Sequence, residues 1–226
     1  MVRAVPMARI PKRRIDWSTL PKCGQCERPE RICVCDRTRV LETRLHVLIL
    51  QHPREQELEL SSTPLVLASL PKAVRAVGLS WRSLAEALGE EVDVARWAVL
   101  FPLDPSHAPA GTGAKGTSVV LDRQGARVDA HSLEGIVVLD GSWSQGKTLW
   151  WRNPWLLKLP RMSLWPLEPS IYGSLRAEPR TQYVSTLESV AQALTATGED
   201  PEIAAQLRRL FRTMVQRARD VLVTVD

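Results

Sequence analysis

Apolar and polar positions fall in blocks along this chain, and the clearest block is Ile136–Leu139, four apolar residues running into Asp140-Gly141-Ser142-Trp143. A short apolar run ending at a glycine predicts a buried strand. Leu45–Leu50, Val94–Leu100 and Thr117–Leu121 predict three more. Helical patterns lie between and after them. Ser62-Thr63-Pro64 opens one, with Thr63 as the expected N-cap and Pro64 at the first helical position. Trp81–Leu88 reads as another. Further on, Ser185-Thr186-Leu187-Glu188 fits a capping box ahead of an apolar stripe of Leu187, Val190, Ala191 and Leu194, with Gly198 ending the helix. The last pattern, about Glu202–Val221, puts Ile203, Leu207, Leu210, Phe211, Met214 and Val215 on one side, opposite Arg208, Arg209, Arg212 and Arg219. Strands alternating with helices predict an α/β fold, a mainly parallel sheet with flanking helices. Such sheets bind ligands at the carboxyl ends of their strands. Asp140 and Trp143 are delivered to such an end, and Gly141 is expected to turn the chain there.

Composition and charge narrow the picture. At 226 residues, 44% hydrophobic and 24% charged, the chain has the make-up of one medium globular domain with room for a small appendage. No apolar run approaches the roughly 20 residues of a membrane helix, and the basic start MVRAVPMARIPKRRIDW lacks the apolar core of a secretory signal. A cytoplasmic protein without membrane contact is expected; no pattern sets its oligomeric state. Residues 1–44 hold 11 Lys/Arg against 5 Asp/Glu, a net of +6, and the remainder holds 19 against 20, a net of −1. The N-terminal arm thus reads as an electrostatic handle for a polyanion.

All four cysteines fall in that arm, as Cys23-x2-Cys26-x6-Cys33-x-Cys35. Four thiols this close, with no secretory signal, predict one closed tetrahedral zinc site of structural character. Lys22, Arg28 and Arg31 would balance its charge. The expected division is a basic arm with zinc knuckle over 1–44 and an α/β domain over 45–226.

Two glycine motifs compete with other chemistry. Gly111, Gly113 and Gly116 fit G-x-G-x-x-G but precede a strand, whereas a dinucleotide site follows one. Gly141–Thr148 satisfies G-x-x-x-x-G-K-[ST] after a strand. Against it, Trp143 would sit inside the phosphate loop, and only Val221–Asp226 could supply a magnesium-binding Asp. A P-loop NTPase stays one alternative, and a non-catalytic zinc-containing RNA-binding protein another. Arg54, after the Leu45–Leu50 strand, is a candidate RNA contact, as are Arg208 and Arg212.

The cysteine knuckle together with Leu139-Asp140-Gly141-Ser142-Trp143, Tyr172…Leu175-Arg176 and Ser185-Thr186-Leu187-Glu188 resembles the DTW-domain family over about residues 20–200. Asp140 and Trp143 match the ends of the family motif, Ser142 stands for its Thr, and Lys147 matches a basic position. Gly173-Ser174 lengthens the run between Tyr172 and Leu175, where the family commonly has Y-x-L-R. The resemblance implies a tRNA-uridine aminocarboxypropyltransferase that uses S-adenosylmethionine, related to the SPOUT-like methyltransferases with their C-terminal knot. On that view Asp140, Ser142 and Trp143 are the candidate catalytic residues. Phe101, Pro102, Gly141, Lys147, Ser185, Thr186 and Glu188 would hold the donor, and Arg176 joins the RNA contacts. Asp140 would take the uracil imino proton or orient the base, with Trp143 against base or cofactor.

Overall fold

The computed structural model describes residues 16–26, 28–56, 58–103, 112–176 and 184–224. Residues 1–15 of the basic arm, Gly111 of the first glycine run and Asp226 lie outside them. Six strands form one sheet in the order β2-β1-β5-β3-β6-β4: β1 (His46–Gln51), β2 (Ala73–Val77), β3 (Trp97–Leu100), β4 (Ser118–Leu121), β5 (Gly135–Asp140) and β6 (Arg161–Leu164). Every pairing is parallel except that of β4 with β6. The helices are α1 (Thr63–Ser69), α2 (Leu84–Leu88), α3 (Trp143–Arg152), α4 (Thr186–Ala196) and α5 (Pro201–Thr224). No helix among the described residues is long and apolar enough to cross a membrane.

The period of two along each strand divides the core between the sheet's faces. Val47 and Ile49 of β1, with Ile136 and Val138 of β5, pack with α1, α4 and α5. Leu48 and Leu50 of β1, with Val137 of β5, pack on the other face with α2, Trp150 of α3, and Trp155 and Leu156. Both faces being covered, β1 and β5 are apolar at almost every position. A Cβ added at Gly135 would lie 2.5 Å from the Trp97 ring, so glycine there lets β5 lie against the buried indole.

The knuckle segment packs on the C-terminal half of α5. Ile32 is fully buried with Ala218 and Val221, Arg217 donates to Asp36 at 2.9 and 3.1 Å and to the Cys33 carbonyl, and the buried Arg28 guanidinium donates to the Ser61 carbonyl.

Local structure departs from the pattern reading in several places. Ser62, not Thr63, is the N-cap residue of α1 and makes no side-chain cap hydrogen bond; the helix begins at Thr63, one residue before expected, which puts Pro64 at the second helical position. The Trp81–Leu88 helix begins only at Leu84, behind the Ser83 cap. The strand expected from Val94 starts at Trp97, after a 3-10 turn at Val94–Arg96. The polar turn expected after Asp140 is already helix from Trp143.

Candidate active site

Asp140 ends β5, in register with Gln51 at the end of β1. The His52 N–H donates to its carbonyl at 2.9 Å. The carboxylate is buried and accepts three side-chain hydrogen bonds: from Gln51 Nε2 at 2.7 Å and Thr63 Oγ1 at 2.8 Å on Oδ2, and from Thr186 Oγ1 on Oδ1. A carboxylate offers about four lone-pair sites. Three are taken, and one acceptor position stays available to a ligand. Four elements, β1, β5, α1 and α4, thereby meet on one side chain.

Beyond Asp140 the chain enters α3 through a capping box. Ser142 Oγ accepts from the Gln145 N–H at 3.4 Å and Gln145 Oε1 accepts from the Ser142 N–H at 2.5 Å. Gly141 serves this by lacking a side chain rather than by an unusual φ: a Cβ there would lie 2.8 Å from Gln145 Cβ. The cap places Trp143 at the helix start, 41% exposed, with Lys147 Nζ 5.2 Å from its ring centroid.

These residues open on a cavity of about 570 Å³, within the range of small-molecule sites. Leu100, Phe101 and Pro102 from the end of β3 form an apolar wall, and Leu139, Asp140, Trp143 and Lys147 form a second side. Tyr172, Arg176, Ser185 and Thr186 close a third. Phe101 is fixed from behind by Trp150, stacked at 4.0 Å. Tyr172 packs edge-on against Phe211 at 4.8 Å and donates to the Leu60 carbonyl at 2.5 Å. Burial raises its phenol to about 12. Arg176 lies over the Tyr172 ring at 5.8 Å and pairs with buried Glu55 at 3.1 Å.

The capping box at Ser185–Glu188 forms as its pattern predicts. Glu188 accepts from the Ser185 N–H and hydroxyl at 3.0 and 2.7 Å, the Ser170 hydroxyl at 2.9 Å and the Ile171 N–H at 2.9 Å. Its acceptor sites are therefore occupied by protein, and it ties the 170–171 segment to α4 without lining the cavity. The structure brings Asp140, Ser142, Trp143, Phe101, Pro102, Gly141, Lys147, Arg176, Ser185 and Thr186 to one cavity. Arg54, Arg208 and Arg212 do not line it. Gln51 and Thr63, which anchor the carboxylate, escape a local reading; the one signal is a Gln closing an otherwise apolar run.

At the knuckle, the ligand atoms of Cys23, Cys26, Cys33 and Cys35 all lie within 4.8 Å of one another, and the Cys26 and Cys33 sulfurs are 3.6 Å apart. Tetrahedral zinc with ~2.3 Å bonds separates its sulfurs by about 3.8 Å, so the thiols fit such an ion. Backbone N–H groups of Gln25 and Cys26 pull the Cys23 thiol down to about 6, whereas burial pushes Cys33 and Cys35 up. Four adjacent thiolates need a cation to be ionised together.

A model of the DTW domain matches residues 20–219. The chain is similar to mouse (Mus musculus) tRNA-uridine aminocarboxypropyltransferase 2, 30% identical over 201 residues, which cover 86% of this chain and 62% of that protein. The protein of the same name from Macaca fascicularis is 28% identical over 196 residues, with 86% and 62% covered. Arabidopsis thaliana tRNA-uridine aminocarboxypropyltransferase A is 29% identical over 211 residues, with 86% and 79% covered. This chain thus spans 62% of the length of the mouse and macaque relatives. No solved structure matches it significantly.

Proposed function

This chain belongs to the DTW-domain family, and we propose that it transfers the 3-amino-3-carboxypropyl group of S-adenosylmethionine to the ring imino nitrogen of a uridine in tRNA. The observation that carries the proposal is Asp140, a buried carboxylate with one acceptor position left, beside Trp143 on a cavity of about 570 Å³.

The donor, when bound, supplies a sulfonium that activates the methylene of its methionine arm. Phe101, Pro102 and Leu139 offer the apolar surface an adenosine needs. Lys147, Arg176 and the positive N-terminal end of α4 at Thr186 suit its carboxylate. Asp140 takes the uracil imino proton at its remaining lone pair, which frees the ring nitrogen to form the new N–C bond as the donor's S–C bond breaks and methylthioadenosine leaves, while Trp143 packs against the base. Positioning of this kind can remove on the order of 7–11 kcal/mol of barrier. Ser142 acts through the cap that sets Trp143. The ion at Cys23, Cys26, Cys33 and Cys35 is read as structural zinc, holding the knuckle against α5. The SPOUT-like kinship, with its C-terminal knot, and the cytoplasmic location rest on the family resemblance and the sequence alone.

The P-loop alternative is disfavoured by local geometry. A phosphate cradle needs a loop between its first glycine and Gly-Lys-Thr, but α3 begins at Trp143, and Gly146, Lys147 and Thr148 are already wound into it. Asp140→Asn and Trp143→Ala test the proposal. Transfer to tRNA should fall by at least about 100-fold in each folded variant, the scale of a lost catalytic contact. Wild-type turnover in both would remove this wall from the mechanism.

A further inference from the structure

Resting on the RNA-modifying function proposed above, we infer that the outer ridge of α3 is a track for the unpaired nucleotides flanking the target uridine, with Trp151 as its stacking platform. Trp143, Lys147 and Trp151 are spaced i, i+4, i+8, one ridge of the helix. The first two line the cavity. The third lies about 12 Å along the axis from Trp143 and about 6 Å beyond Lys147, at 1.5 Å per residue. Its side chain is 76% exposed, the most exposed of the large hydrophobic residues described. An indole left in water does nothing for the core, and Trp150 and Trp155 alongside it in the chain are buried. Trp151 therefore presents its ring outward.

Charge selects the partner. Residues 141–167 contain four Lys/Arg (Lys147, Arg152, Lys158 and Arg161) and no Asp or Glu, although residues 45–226 as a whole carry a net of −1. Five of the eight tryptophans, at positions 143, 150, 151, 155 and 165, fall in the same stretch. Two exposed indoles, Trp143 and Trp151, interleaved with Lys147 and Arg152 on a segment that carries no carboxylate of its own, match single-stranded nucleic acid, whose bases stack while its phosphates seek positive charge. The track is continuous with the cavity at Trp143 and Lys147, so the strand that enters the site is the one that lies on it.

Titrating unmodified tRNA into the full-length wild-type, Trp151→Ala and Trp151→Phe proteins, alongside steady-state transfer, tests this. Trp151→Ala should raise the tRNA Kd and KM by roughly 5- to 150-fold, the range for loss of one base–aromatic stack, with kcat at saturating tRNA unchanged. Trp151→Phe should stay near wild type. A uridine oligoribonucleotide with 2-aminopurine at the neighbouring position should be quenched by wild type and not by Trp151→Ala. Wild-type Kd in a folded Trp151→Ala overturns the track while leaving the transferase function standing. Wild-type protein that neither binds nor modifies tRNA overturns both. A loss of self-association in Trp151→Ala, read by sedimentation, with RNA affinity intact, would place the ring in a protein interface and also overturn it.

Discussion

Replacing Asp140 by Ala removes the acceptor that joins β1, α1 and α4 to the end of β5. Gln51 and Thr63, the donors at 2.7 and 2.8 Å, are 1% and 0% exposed, so both are buried donors that lose their partner with the carboxylate. A buried polar group left without a partner costs about 1–3 kcal/mol, giving roughly 2–6 kcal/mol for the pair. Thr186 is half-buried and rehydrates, adding little. Asp140→Asn keeps the volume and one acceptor oxygen but puts an amide NH2 among three donors, and should cost about half as much. Urea unfolding followed by tryptophan fluorescence and far-ultraviolet circular dichroism measures both. Thr63→Val supplies the internal check: with its donor gone it should couple to Asp140→Ala by about 0.5–3 kcal/mol, the double variant being more stable than the sum predicts. A folded Asp140→Ala protein within about 0.5 kcal/mol of wild type, or a zero coupling, would refute the claim that this carboxylate organises the strand end.

Other expectations follow from the same geometry. Purified protein should carry one zinc per chain by atomic emission, and chelation should loosen the knuckle from α5 and lower the thermal midpoint; metal-free protein with an unchanged midpoint would contradict this. The Tyr172 phenol is raised from 10 to about 12 by burial, so its contribution is fully present below pH 10 and is lost as pH rises to 12. That amounts to about 2–3 kcal/mol at 1.36 per unit. Urea midpoints of wild type and Tyr172→Phe should therefore converge between those pH values, and parallel curves would remove the phenol as the cause. Gly135→Ala brings a methyl against the Trp97 ring and should cost at least about 1–3 kcal/mol; a neutral effect would mean that β5 shifts freely.

The strands read most directly are those buried on both faces. Val47–Leu50 and Ile136–Leu139 are unbroken apolar runs because α1, α4 and α5 cover one side and α2 and α3 the other. Strand β2 (Ala73–Val77) escapes the pattern because it is a half-exposed edge with Arg75 at its centre. Strand β6 has only four residues, one of them a buried serine, Ser163, whose hydroxyl donates to the Phe101 carbonyl at 2.6 Å. Both capping boxes are local four-residue signals: Ser185–Glu188 is readable as such, while Ser142–Gln145 is obscured by Gly146 and the aromatics around it. Asp140 and Trp143 stand out by position. The partners of Asp140 do not, since Gln51 and Thr63 lie 89 and 77 residues away and only the folded sheet brings them together. Charge summed over 45–226 likewise hides the acid-free segment around α3.

Carrying the label of S-adenosylmethionine through the reaction tests the central claim most directly. Purified protein is incubated with unmodified tRNA and donor labelled either in the methyl group or in the carboxyl carbon of the methionine arm, and the tRNA nucleosides are then separated by mass. The carboxyl label should appear on a uridine as an aminocarboxypropyl adduct at the ring imino nitrogen, and the methyl label should stay off the RNA. Methyl label on the RNA, or no label from either donor, would contradict the account.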